Sequence, residues 1–425
     1  MYWSLGQRAG RAFRSSLWSV PLIAIPFALV ATRILHWLDA RIEWSFLGFG
    51  VSGAQALLQA VSTATLSFMV FTFGSLLIAI QVASGTLTPR IIATTLLQNL
   101  VIRYTVGLFM FTWLLAIGVQ NRIEQKVYEL PLLVAGIFGV LSFAAFFYLI
   151  DYASRLLRPI TVLSNVGTSG LAVIANVYPQ TSQGPAPAAD GGHKPGTLAR
   201  RVAHEGTSGS VLAVNVATLT HAAKAADGLI EFVPQVGDFV AVDEPLFNLY
   251  GGAGAIDDDV LREAVTFGSE RTMEQDPTFA FRIVIDIALK ALSPAINDPT
   301  TAVLAIDQLH RMLRSVGTRN LRTDEIEDAA GDLRVIFRTP NWEDFVHLAF
   351  SEIRFYGSTN LQIVRRLRAM IENLMQTLPA HRQQELLGQL ELLDRAVKKA
   401  FENPEELALA LVGDTQGLGG HAAST

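Results

Sequence analysis

Four apolar stretches, residues 17–38, 56–83, 100–120 and 130–151, constrain this chain before anything else does. Each is long enough to cross the roughly 30 Å hydrocarbon layer of a bilayer as a helix. Nothing comparable is expected after residue 155. Half of the 425 residues are hydrophobic and only 17% are charged, and these runs localise the excess. The expected class is an α-helical integral membrane protein with four transmembrane helices. A soluble α+β, mainly helical, cytoplasmic domain with a small β module would follow.

Composition removes several functions. There is no Cys, so disulfides, thiolate metal sites and a cysteine nucleophile are excluded. The net charge of −5 argues against a nucleic-acid partner. The first apolar run follows Arg8, Arg11 and Arg14 but exceeds a signal-peptide core and lacks an A-x-A site, so a retained anchor is expected. Basic residues beside the spans, including Arg90, Arg103, Arg155 and Arg158, are expected to place both termini on the cytoplasmic side of the membrane. The lipid bilayer is thus one expected partner.

The second span, LLQAVSTATLSFMVFTFGSLLIAIQVASGTLTPR, carries more hydroxyls than a lipid-facing helix needs. At 100° per residue Ser62, Thr65, Met69 and Thr72 share one face, with Ser75 at its edge. Such a face serves close helix packing or lines a narrow wet path, with Met69 and Phe73 as apolar constrictions. Pro89 is expected to stop or kink the helix.

Residues 156–196 read as an amphipathic connection followed by the small-residue linker QTSQGPAPAADGGHKPG. Residues 197–256 form the β-rich module. GSVLAVNV and GLIEFVP alternate as strands, ATLTHAAKAAD is a short helix, and QVGDFVAVDEPLFNLYG reads as a hairpin turning at Gly237-Asp238. Residues 257–412 read as helical, with LRVIFR as a possible strand and Thr339-Pro340 opening a helix that holds Glu343 and Asp344 in its first turn. Residues 413–425 are expected to be disordered.

The stretch ALSPAINDPTTAVLAIDQL interrupts this helical part. One helix ends near Leu292 because Pro294 follows. The next starts at Pro299, with Asp298 as its N-cap toward Thr300 or Thr301. Ser293, Asn297 and Asp298 either satisfy their own turn or, with Thr300 and Thr301, face a small ligand, an ion or another subunit. Just before it, Arg282, Asp286 and Lys290 step at i,i+4 and form a charge ladder. Arg271, Gln275 and Asp276 are polar positions of the same region.

These residues carry a resemblance. The second span ending TLTPRII, the run FGSERTMEQDPTFAFRIVIDIALKALSPAINDPTTAVLAIDQL and the later FRTPNWEDFVHLAFSEIRFYG resemble the bacterial predicted membrane proteins of domain-of-unknown-function family 2254, over roughly residues 15–410. The resemblance implies a multi-span N-terminal part and a soluble C-terminal part. It implies no activity.

Catalytic motifs are missing: there is no H-E-x-x-H, G-x-S-x-G or P-loop, and the eight His are scattered. No metal, cofactor or enzymatic activity is expected. The leading expectation is a homo-oligomeric channel or channel-like transporter for ions or small solutes, lined by the second span. The rival is a non-transporting, membrane-anchored scaffold or ligand sensor.

Overall fold

The computed structural model describes residues 19–42, 48–86, 99–123, 127–156, 158–181, 196–321 and 324–419. The Arg-rich N-terminus, Pro89, most of the linker and the last six residues lie outside the described residues. The chain forms two compact units, one ending at Val162 and one beginning at Leu163.

The first unit contains helices α1 (Ser19–Ile42), α2 (Val51–Thr86), α3 (Leu100–Gln120) and α4 (Glu129–Leu156). Each is long and apolar enough to cross a membrane. Half of the α3 span is buried, against 17–22% for the other three, so α3 is the central helix. It packs on all three neighbours through Leu115, Ala116 and Val119, which meet Leu58 of α2 and Leu132 of α4. At Gly118 a Cβ would lie 2.9 Å from Thr32 Oγ1, so only glycine allows this approach of α1 to α3. Hydrogen bonds join polar groups across helices of this unit. Ser142 donates to Thr112 at 3.0 Å, linking α4 to α3. Arg103 donates to Ser19, and Asp39 accepts the Leu130 amide at 2.9 Å, tying α1 to the start of α4.

A fifth helix, α5 (Pro159–Val177), is also long and apolar enough to span. The sequence reading made this segment a surface-lying connection and counted four spans. Length and hydropathy do not separate it from the other four, so the described residues hold five candidate spans, not four. Leu163, Val166 and Ile174 are buried. At Gly170 a Cβ would stand 2.7 Å from Met312 Sδ and 2.9 Å from Ala280 Cβ, so α5 is docked on helices of the second unit.

In the second unit, strands β1 (Leu198–Ala203), β2 (Gly209–Val214), β3 (Gly228–Gln235), β4 (Phe239–Val240), β5 (Pro245–Gly251), β6 (Val265–Gly268), β7 (Glu325–Glu327) and β8 (Leu333–Arg338) make two sheets. One runs β1-β5-β3-β8-β7, with only β3 and β8 parallel; the other runs β4-β2-β6 and is antiparallel. Helix α6 (Val216–Ala225) and the sheets share a core of Val211, Leu219, Ile230, Phe232, Phe247 and Val335. Two expectations change here. β4 pairs with β2, not with β5, so QVGDFVAVDEPLFNLYG is not a hairpin; its halves enter different sheets. The β module also does not end near residue 256, because β6, β7 and β8 complete it.

The connection between β7 and β8 is pinned by Asp328. Its side chain accepts the Ala330 amide at 2.8 Å and the Asp332 amide at 3.3 Å, and stands beside Arg334 at 3.1 Å and Lys224 at 3.5 Å. The amide bond from Ala330, with these cations, lowers the carboxyl to about 2. A depressed carboxyl stabilises the fold above its unfolded value of about 3.9. That contribution is lost as pH falls through the folded value near 2. Thermal melting between those limits is expected to steepen its pH dependence in the wild type and to lose part of that slope in Asp328→Asn.

The helical part contains the one-and-a-half-turn α7 (Asp258–Glu263), then α8 (Pro277–Ala291), α9 (Pro299–Gly317), α10 (Trp342–Gly357), α11 (Leu361–Thr377), α12 (Gln383–Ala400) and α13 (Pro404–Ala410). The N-cap of α10 is Asn341, not Thr339: Asn341 and Asp344 form a reciprocal capping box at 2.9 Å in each direction. The C-terminal segment, expected to be disordered from 413, is held as far as Gly419. Asp414 accepts the amides of Gln416, Gly417 and Gly419. Burial pushes its carboxyl up, but these amides outweigh burial and hold it below the usual range. Buried Arg365 donates to Val412 O at 3.1 Å, which fastens the segment to α11.

Candidate functional site

Helix α2 presents two polar faces, and they point in opposite directions. The face singled out from the sequence points inward. Thr65, Met69 and Thr72 are buried within the chain's own bundle and Ser62 is half-buried, while Phe73 and Ser75 are exposed. Thr65 Oγ1 donates back to Val61 O at 2.8 Å, as intrahelical hydroxyls do in apolar surroundings. Ser75 donates to Thr72 O at 3.0 Å. Phe68, one turn from Thr65 and Thr72, stacks on Phe146 of α4 with ring centroids 4.4 Å apart. Of the expected pore-lining set, Thr65, Met69 and Thr72 therefore pack within this chain, while Phe73 and Ser75 do not.

The second face was not read from the sequence. Gln59, Thr63, Ser67, Gly74 and Gln81 are all exposed and fall within a sector of about 80°, which exposed Val70 and Leu77 share. Ser67 donates to Thr63 O at 2.8 Å, and Gln59 accepts from Gln120 of α3 at 3.2 Å. The outward faces of the neighbouring spans are different. α1 exposes Phe27, Val30 and Ile34 with Arg33 beside them; α4 exposes Val140, Phe143 and Phe147. The amides at 59 and 81 were the available signal. Reading hydroxyls alone favoured the other side, because serine and threonine repeat with the same helical period on both.

The SPAIND turn closes on itself. Asn297 sits at φ +47, a left-handed conformation that Asn tolerates. Asp298 caps α9 through the Thr301 amide at 3.1 Å and the Thr301 hydroxyl at 2.5 Å. Asn297 N–H donates to Ser293 O at 2.9 Å and Asp298 N–H to Ala291 O at 2.8 Å. Thr300 is exposed and takes no part in the cap. Removing the cap in Asp298→Ala is expected to cost about 1 kcal/mol. Asn297→Gly, which suits the same backbone, is expected to change stability by no more than about 0.5 kcal/mol. Melting midpoints of the purified chain check both.

The polar residues preceding the turn form a joint between sheet and helices. Asp276 caps α8 by accepting the Phe279 amide at 3.0 Å, and it pairs with Arg271 at 2.5 Å. Gln275 accepts the Val214 amide of β2 at 3.0 Å. A Cβ on Gly237, which has φ +95, would meet Arg271 at 2.3 Å, so the turn before β4 rests on this pair. Of the expected ladder, Arg282 joins Asp286 at 2.5 Å and crosses to Glu352 of α10 at 3.1 Å. The Glu352 bond leads in raising the Arg282 guanidinium above its ordinary value, against burial. Lys290 lies one turn further along α8. These residues weld elements together and present no open cation or anion cradle. Among the described residues, no group of three or more His, Asp or Glu is placed to hold a metal ion.

A bundle of apolar helices followed by a mixed sheet-and-helix unit defines a polytopic membrane protein. The chain belongs to the family described as Predicted membrane protein (DUF2254), whose model matches residues 14–373. It is similar to the uncharacterized protein Rv1290c of Mycobacterium tuberculosis and to the uncharacterized protein Mb1321c of Mycobacterium bovis. Each is 24% identical over 422 residues, covering 94% of this chain and 79% of the relative. No solved structure matches the chain.

Proposed function

We propose that this protein is a homo-oligomeric channel or channel-like transporter for ions or small solutes in a bacterial inner membrane, with its path enclosed by the outward face of α2 from several copies. The observation that supports this reading is the exposure of Gln59, Thr63, Ser67 and Gln81 along one sector of α2, interleaved with exposed Val70 and Leu77. Lipid tails offer an amide no partner, and leaving such a group unpaired in hydrocarbon costs several kcal/mol, on the order of 2–7. Water or a second copy of the same face removes that cost.

The helix is the one expected from the sequence, but the face is moved by about half a turn. Both termini and the second unit are placed in the cytoplasm, following the basic residues beside the spans. That unit then serves assembly or sensing. The docking of α5 on α8 and α9 supports such coupling, since α5 follows the last span after only Leu157 and Arg158.

The test is ion flux from proteoliposomes. The wild type is expected to conduct, and Thr63→Leu with Ser67→Leu to abolish conduction while Thr65→Val retains it. Conduction that survives Thr63→Leu with Ser67→Leu removes this face from the mechanism. No flux under any ion gradient supports the rival reading, a membrane-anchored scaffold or ligand sensor.

A further inference from the structure

A groove of about 670 Å3 runs along the outer side of α1. Leu29, Val30, Arg33, Ile34 and Trp37 of α1 line it, and Arg122, two residues past the end of α3, completes it. At 100° per residue the five α1 positions fall within a sector of about 140°. All five are exposed. Arg33 therefore presents a charge outward from Ser19–Arg41, a stretch apolar enough to cross a bilayer. Charged side chains in such stretches ordinarily face the inside of a bundle or a water-filled cavity, because hydrocarbon offers a guanidinium neither water nor a counter-charge.

The chain leaves this charge unanswered. Among the described residues, neither Arg33 nor Arg122 forms an ion pair or a side-chain hydrogen bond. Elsewhere in the bundle Arg103 bonds to Ser19 and Arg155 to Asp151. The described acids at this end are turned inward and already engaged. Asp39 is buried and accepts the Leu130 amide, and Glu129 is buried and accepts the Gly48 amide at 3.0 Å. A further cation, Arg41, lies over the Trp37 ring, 5.0 Å from its centroid. The groove is also ordered along its length. Leu29 and Val30 lie near the midpoint of α1, and Trp37 lies one and a half turns before its end. Eight residues of helix make that about 12 Å, close to the depth of one leaflet. The apolar end thus belongs to the bilayer middle. Trp37 and Arg122 belong to the headgroup level, where tryptophan concentrates.

We propose that this groove binds an anionic phospholipid of the leaflet in which α1 ends. Its phosphate oxygens accept from the Arg33 and Arg122 guanidiniums, and one acyl chain lies along Leu29, Val30 and Ile34. Charge selects the occupant. Two uncompensated guanidiniums above an apolar wall suit a net-negative head on a hydrocarbon tail. A zwitterionic lipid brings its own ammonium, which the two cations repel, and a soluble anion gains nothing from the apolar half. The site is independent of the outward face of α2 and survives if no flux is found.

The test uses the full chain, purified in detergent, stripped of lipid and titrated by native mass spectrometry, which counts lipids bound per chain. The probes are dioleoyl phosphatidylglycerol and dioleoyl phosphatidylcholine, which share their acyl chains and differ in net charge. The wild type is expected to bind the anionic lipid about tenfold more tightly, the scale of a charge-assisted hydrogen bond. Arg33→Gln and Arg122→Gln are each expected to lower that preference about three- to tenfold, and the double variant to abolish it. Arg158→Gln removes an exposed cation elsewhere and is expected to leave it unchanged. Equal affinity for the two lipids overturns the site, as does a preference kept in both groove variants. An equal loss in Arg158→Gln makes the attraction general to the surface and also overturns it. The same spectra count copies of the chain. Phosphatidylglycerol bound to monomers but excluded from oligomers assigns the groove to a second copy and overturns the lipid site. The comparison of lipids is made on the wild-type chain, so it decides the matter even where a variant fails to fold.

Discussion

Phe345→Ala is expected to destabilise the second unit by about 3–5 kcal/mol. Phe345 is fully buried on α10 and is the centre of an aromatic cluster. Its ring lies 5.2 Å from Phe281 of α8 and 6.2 Å, edge-on, from Tyr178 just beyond α5. Truncation removes both contacts and leaves a ring-sized void in the middle of three elements. A domain of ordinary stability has only about 5–15 kcal/mol to lose. The variant is therefore expected to melt far below the wild type, or to accumulate poorly, and thermal unfolding of the purified chain measures the difference. Tyr178 reports on the same place. Burial leads in raising its phenol above the ordinary value, with the charges of Asp276 and Asp344 adding to it, so the ring stays neutral across the physiological range.

Gly170→Leu is the second large effect, and it tests the docking of α5. Even a single added Cβ would press on Met312 Sδ at 2.7 Å and Ala280 Cβ at 2.9 Å. The methionine can move; the alanine is fully buried on α8 and cannot move without its helix. Overpacking of this kind costs about 1–3 kcal/mol in a core that cannot expand. Here the cheaper response is for α5 to lift away, exposing its buried Leu163, Val166 and Ile174. The expected result is a lower melting temperature together with new protease cleavage within 163–178. Unchanged cleavage and stability would mean that α5 does not rely on this contact.

Local chemistry was legible in the sequence where it acts over a few residues. The SPAIND turn is the clearest case. Pro294 and Pro299 set its ends, Asp298 caps α9 and Asn297 takes the left-handed position, all within one stretch of chain. Features set by distant partners were not legible. β4 is two residues long, and its place is decided by β2 about thirty residues earlier. The segment GDTQGLG has the composition of a loose tail, yet Arg365 and the amides around Asp414 hold it. At residues 339–341 two N-cap candidates stand close together. Asn341 prevails because its partner Asp344 sits three residues on, completing the reciprocal pair.

The candidate site was half legible for a related reason. Hydroxyls at helical spacing serve packing and wetting equally well, so the pattern picks out α2 without choosing a side. The choice belongs to α3 and α4. Phe109, Phe143 and Phe146 gather around Phe68 and draw Thr65, Met69 and Thr72 inward with it. Gln59, Thr63 and Ser67 are left outside as a consequence.

The absence of cysteine from the chain makes that arrangement directly measurable. Single cysteines placed along α2 in proteoliposomes can be challenged with a small, water-soluble thiol reagent. Thr63→Cys and Ser67→Cys are predicted to react and to cross-link between copies, while Thr65→Cys and Thr72→Cys stay protected. Labelling at 65 and 72 with protection at 63 and 67 would contradict the account.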